Sequence, residues 1–205
     1  VTLLLNKGAN INIQNKEGNT ALIYACKSNY TEIVRLLLNK GASVNIQNKE
    51  GNTALILACN TNNIELVQLL LNKGANVNIQ NILDNSALIH ACYKNNIEII
   101  HLLLNKGADI FRYNRFGPTP LMIACINNNI DMVQLFLDKG MDVNDYDMKD
   151  KRALEYACNN NNIPIVQLLL NYGATVYSDV EYSSNPTIQQ LLLQDEEKNT
   201  YCIFC

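Results

Sequence analysis

Six glycines, Gly8, Gly41, Gly74, Gly107, Gly140 and Gly173, stand 33 residues apart along this 205-residue chain. Cys26, Cys59, Cys92, Cys125 and Cys158 keep the same interval. A period of that size constrains the fold more than any single motif does. It means a series of supersecondary units, each too small to bury its own apolar face and each completed by its neighbour. Five full copies begin at Asn15, Asn48, Asn81, Asn114 and Asp147, flanked by incomplete ones.

Residues 15–47 show what one unit must be. Leu22, Ile23, Ala25 and Cys26 form one apolar block, and Ile33, Val34, Leu36, Leu37 and Leu38 form a second. Both follow i, i+3, i+4 spacing, so both read as short helices. Thr20 offers a hydroxyl to the start of the first helix, and Glu32 places negative charge at the positive end of the second. Asn29 is expected to close the first helix in a left-handed conformation, and Gly41 the second, with Lys40 near its negative end. The stretch from Ser43 to Asn52, rich in Asn and Gly, should turn out and back as a projecting finger. Ordering such a unit costs roughly 1–2 kcal/mol per residue in backbone entropy, which two short helices cannot offset alone. Stability is expected to belong to the array.

Gly-Asn-Thr-Ala-Leu, Ala-Cys, Glu-Ile-Val-x-Leu-Leu-Leu, Lys-Gly-Ala and Val-Asn resemble the ankyrin repeat, over residues 1 to about 177. The resemblance implies an all-α solenoid of stacked helix-turn-helix units with projecting finger loops. It gives a truncated repeat at 1–14 and full repeats at 15–47, 48–80, 81–113, 114–146 and 147–179. A capping half-repeat at 180–194 and a flexible tail at 195–205 follow. One departure stands out. The family's His after Leu is here Ile23, Ile56, Ile89, Met122 and Glu155, so its usual hydrogen bonds must be absent or replaced. Val1 falls inside a second helix, and the chain reads as the downstream part of a longer protein or a trimmed one.

The formal charge is only −3, with Lys and Arg dispersed, so a phosphate-binding face is not expected and nucleic acid is excluded as a partner. No apolar run reaches the roughly 20 residues of a membrane helix. Equivalent cysteines in neighbouring repeats should lie about 8–10 Å apart, a helix-packing distance, too far for a disulfide. They are expected to be buried free thiols, which suits cytosol or nucleus. His90 and His101 lie on different helices with no ligand at metal spacing, and no phosphate loop, nucleophile elbow or paired acidic motif is present. Neither catalysis nor a cofactor or metal is expected.

The informative positions are those where the copies differ. The finger pair Lys16-Glu17, repeated as Lys49-Glu50, becomes Ile82-Leu83 and then Arg115-Phe116. The end of the first helix, Lys27 and then Asn60, becomes Tyr93 and then Ile126. Between them stands Phe111-Arg112-Tyr113, where earlier copies have Asn-Ile-Gln. In the ankyrin fold, finger tips and the exposed side of the first helices form the concave surface. The resemblance therefore places Ile82, Leu83, Tyr93, Arg115, Phe116 and Ile126 there, with Phe111, Arg112 and Tyr113 in the finger stem beside them. Aromatic and Arg side chains gathered at solvent are the composition of an interface hot spot. The competing reading packs Phe111 and Tyr113 within the finger, with Arg112 facing Asp145.

The expected function is a non-enzymatic scaffold or adaptor for a protein partner, acting as a monomer. The alternative is the substrate-targeting arm of a longer enzyme, such as a ubiquitin ligase or kinase. The terminal Cys202-Ile-Phe-Cys205 resembles a prenylation box with Cys202 as acceptor, although no basic cluster supplies a second membrane signal. Membrane tethering is expected only if Cys202 is prenylated; a plain end is the preferred reading. Finger residues Asn12, Asn45, Asn78 and Asn144 fit the context in which ankyrin repeats are hydroxylated on Asn, but turn hydrogen bonding explains them more simply.

Overall fold

The computed structural model describes residues 8–113, 117–177 and 183–202, with 196–202 described by their backbone alone. The chain divides into two compact units, residues 1–114 and 115–205. The first contains α1 (Ala21–Lys27), α2 (Thr31–Asn39), α3 (Ala54–Asn60), α4 (Ile64–Asn72), α5 (Ala87–Tyr93) and α6 (Ile97–Asn105). The second contains α7 (Pro120–Ile126), α8 (Ile130–Asp138), α9 (Ala153–Asn159), α10 (Ile163–Asn171) and α11 (Pro186–Cys202). No strand occurs among the described residues, only an isolated bridge between Tyr146 and Arg152.

In the first unit α1, α3 and α5 pack in series, as do α2, α4 and α6, and each first helix packs on the second helix that follows it. The second unit repeats the plan: α7 on α9, α8 on α10, with α7–α8 and α9–α10 as hairpins and α11 against α10. Each is an all-α solenoid segment. Leu22, Ile23, Val34 and Leu37, and their equivalents 33 residues on, are buried between the layers. The five periodic cysteines are buried free thiols. Burial pushes the Cys26 thiol up to about 12, and burial followed by Glu155 pushes Cys158 up to about 12. They stay protonated and inert near neutral pH.

Thr20, Thr53 and Thr119 accept hydrogen bonds at 3.2 Å from the amides of Ile23, Ile56 and Met122, capping the first helices. The second helices are capped by asparagine: the side-chain oxygens of Asn63, Asn96, Asn129 and Asn162 accept from amides three residues on at 3.0–3.1 Å. The same carboxamides reach backward. Asn63 donates to the Asn29 side chain at 2.6 Å, Asn96 to Asn62 at 2.7 Å and Asn162 to Asn128 at 2.5 Å. Their acceptors Asn29, Asn62 and Asn128 sit at positive φ just beyond the first helices. Each contact joins two successive repeats.

The fingers stack through their backbones. The Lys49 amide donates to the Glu17 carbonyl at 3.0 Å, and the Ile82 amide to the Glu50 carbonyl at 3.1 Å. Gly18 and Gly51 make this approach possible: a Cβ on either would lie 2.8 Å from the incoming amide nitrogen, and both have positive φ.

One boundary differs from expectation. Asn185 caps α11 through the Thr187 amide at 3.0 Å, and Ile188 and Leu192 are buried. The helix then runs on to Cys202, through most of the segment expected to be a tail. Residues 194–202 contain neither Pro nor Gly, so nothing local ends the helix at Gln194.

Candidate functional site

The first unit holds Ile82 and Leu83 on a turn built like those of the two preceding fingers. The Asn81 side-chain oxygen accepts from the amides of Leu83 and Asn85, both at 3.0 Å, as Asn48 does from Glu50 and Asn52. The backbone is thus fixed from within the turn while the side chains project. Ile82 is 70% exposed and Leu83 61% exposed. Tyr93, the last residue of α5, is also exposed. Water-facing hydrocarbon at these slots has no structural task, because Lys and Glu fill the same slots on the same turn elsewhere.

In the next finger stem, buried Ile110 anchors the chain and Phe111 turns outward, 61% exposed. Its amide donates to the Asp109 carboxylate at 2.9 Å. Arg112 is exposed and its Nε stands 3.6 Å from Asp109, so its guanidinium is paired within its own stem. Tyr113 is half-buried. Packing within the finger therefore describes Tyr113 in part and does not describe Phe111. Arg115 and Phe116 lie outside the described residues.

In the second unit Ile126, the last residue of α7, is exposed. Tyr146 and Met148 are among the exposed apolar residues of this unit that the sequence analysis does not name. Met148 occupies the slot of Lys16, Lys49 and Ile82, so comparison of every copy at that slot would have found it. Tyr146 replaces the glutamine whose equivalents Gln14 and Gln47 bridge successive finger backbones at 2.6–3.0 Å. It has a neighbour instead: the Arg152 guanidinium lies 5.8 Å from its ring and 4.2 Å from that of Tyr177. Around them, Tyr156 donates to the Asp147 carboxylate at 2.6 Å. Burial works against the Asp147 charge, but the bonds from Tyr156 and the amides of Lys149 and Lys151 outweigh it and hold the carboxyl below its usual range. Burial raises Glu155 instead, and Glu155 accepts from the Arg152 amide at 3.4 Å in place of a threonine cap.

Elsewhere the described residues offer little chemistry. No group of His, Cys, Asp and Glu among them could hold a metal ion. No described helix is long and apolar enough to cross a membrane. An apolar groove of about 570 Å³ flanks α1, lined by Ile13, Tyr24, Tyr30 and Ile33. It corresponds, one repeat on, to the face of α3 covered by α1, where Leu57 is buried. Asn78 and Asn144 donate to the carbonyls of Gly107 and Gly173 at 3.0 Å and accept from the amides of Asp109 and Thr175 at 2.8 Å. These finger asparagines thus bridge to the following copy. The Cys202 side chain lies outside the described residues.

The sequence matches the family model described as "Ankyrin repeats (3 copies)" over residues 1–81, 40–114 and 88–179. No curated protein matches the chain at a significant level.

Proposed function

This chain belongs to the ankyrin-repeat family, whose members generally act as protein–protein interaction modules, and we propose that it is a non-catalytic scaffold holding a protein partner on its variable positions. In the first unit these are Ile82, Leu83, Tyr93, Phe111, Arg112 and Tyr113; in the second, Arg115, Phe116 and Ile126. The observation that carries the reading is the exposure of Ile82, Leu83 and Phe111 on a turn and a stem whose backbones are held by the Asn81 and Asp109 side chains. A braced surface loses little entropy when a partner arrives.

On this reading residues 15–179 supply five display units and 180–194 a closing half-unit, carried on by the rest of α11. The free thiols fit cytosol or nucleus, and membrane attachment would require lipidation of Cys202.

Affinity capture is the test, comparing the natural chain with Ile82→Ser/Leu83→Ser/Phe116→Ser and with Phe116→Ala at matched folding. Phe116→Ala should cost about 2 kcal/mol or more of binding with helical circular dichroism unchanged, and the triple variant should retain no partner. Equal capture by all three chains contradicts the proposal.

A further inference from the structure

The first two fingers and the end of α1 enclose a depression of about 360 Å³, whose charged lining is Lys16, Glu17, Lys27, Lys49 and Glu50. The backbone beneath is fixed by Asn15 and Asn48 and by the bond from the Lys49 amide to the Glu17 carbonyl. The charges above it are unequally committed. The Glu50 carboxylate accepts from the Asn52 side chain at 2.9 Å. Among the described residues, no carboxylate stands at ion-pair distance from Lys16, Lys27 or Lys49. Three uncommitted ammonium groups thus share the depression with two carboxylates, one of them already engaged.

The next finger continues the row without charge. Because Ile82 docks on Glu50 as Lys49 docks on Glu17, Lys16, Lys49 and Ile82 succeed one another along one line, and Glu17, Glu50 and Leu83 along the next. Within the first unit this surface passes from ammonium groups to bare hydrocarbon. A purely charged partner would leave Ile82 and Leu83 in water, and a purely apolar one would desolvate lysines without compensation. We infer that the first unit binds an extended acidic–apolar peptide segment, with Asp or Glu carboxylates over Lys16, Lys27 and Lys49 and large apolar side chains over Ile82 and Leu83. This rests on the protein-binding reading and narrows it to one chemical class. Charge complementarity sets orientation and encounter rate, and the apolar contact sets residence time.

The experiment uses the full chain and three fluorescein-labelled synthetic peptides in a Gly-Ser background. One carries Glu-Asp-Glu before Leu-Leu-Phe, one has Lys at the acidic positions, and one has Ser at the apolar positions. Anisotropy titrations run in about 0.1 M and about 1 M salt, where the Debye length falls from about 10 Å to about 3 Å. The acidic–apolar peptide is expected to bind about tenfold or more tighter than either control at low salt, with the charge preference fading at high salt. Lys16→Glu/Lys27→Glu/Lys49→Glu should reverse that preference toward the lysine peptide, and Ile82→Ser/Leu83→Ser should weaken binding of both peptides that carry Leu-Leu-Phe. Equal affinity for the acidic and lysine peptides, an unreversed preference, or no affinity for any peptide overturns the inference. Unchanged binding by Ile82→Ser/Leu83→Ser overturns both the inference and the protein-binding reading at those residues, whereas the preceding outcomes overturn the inference alone.

Discussion

His90 shows what a single slot can carry without disturbing the frame around it. The same position is Tyr24, Leu57, Ile123 and Tyr156 in other copies. Tyr156 finds a carboxylate in its own finger, at Asp147, whereas the Nε2 of His90 is buried with no hydrogen-bond partner among the described residues. Burial, with Lys94 as the second cause, lowers its pKa from the ordinary 6.5. The unfolded chain therefore takes up a proton that the folded chain resists. Its contribution to stability is complete above about pH 6.5 and is lost as pH falls from there through the folded value. Urea unfolding should show a midpoint that declines from about pH 7.5 to about pH 5.5. His90→Leu, which installs the residue found at Leu57, should flatten that part of the decline. An identical slope in both chains would mean that the imidazole does not couple to folding.

At the scale of the helix, the caps divide the copies into two kinds. Thr53 accepts from the Ile56 amide, but Ser86, in the same slot before α5, is buried and its hydroxyl has no partner among the described residues. Thr53→Ala should lower stability by about 1 kcal/mol, the usual cost of losing a cap. Ser86→Ala should be neutral or slightly stabilising, since it removes an unsatisfied buried hydroxyl. Thermal unfolding of the two variants side by side decides, and equal losses would contradict the bonding described. The threonine caps, the left-handed Asn29 and the closing Gly41 were legible from residue type and position alone. The asparagine caps of the second helices were not. The type copy has Tyr30 in that slot, with no side-chain cap, so a reading anchored on residues 15–47 could not see them. The extent of α11 is not legible from the period, which fails before this helix begins; only helix propensity, which continues past Gln194, carries it.

Across the molecule, the periodic residues make the frame and the positions that break the period make the surface. Repetition made this division visible, because each copy serves as a control for the others: Lys49 and Glu50 prove that the turn carrying Ile82 and Leu83 does not need them to be apolar. Exposure is less legible than identity. Phe111 and Tyr113 look alike in sequence, yet one projects and the other is half-buried. Met148 becomes legible only when every copy is compared at the slot of Lys16, Lys49 and Ile82. If frame and surface are separable, stability and binding must respond to different substitutions. The most direct test measures both, on the same samples, for Ile56→Val in the frame and Ile82→Ser/Leu83→Ser on the surface, with urea unfolding and calorimetric titration of the captured partner. The account predicts that Ile56→Val costs about 1 kcal/mol of stability and leaves affinity unchanged, while the surface pair abolishes binding at an unchanged unfolding midpoint. Affinity and stability falling together in either variant would contradict it.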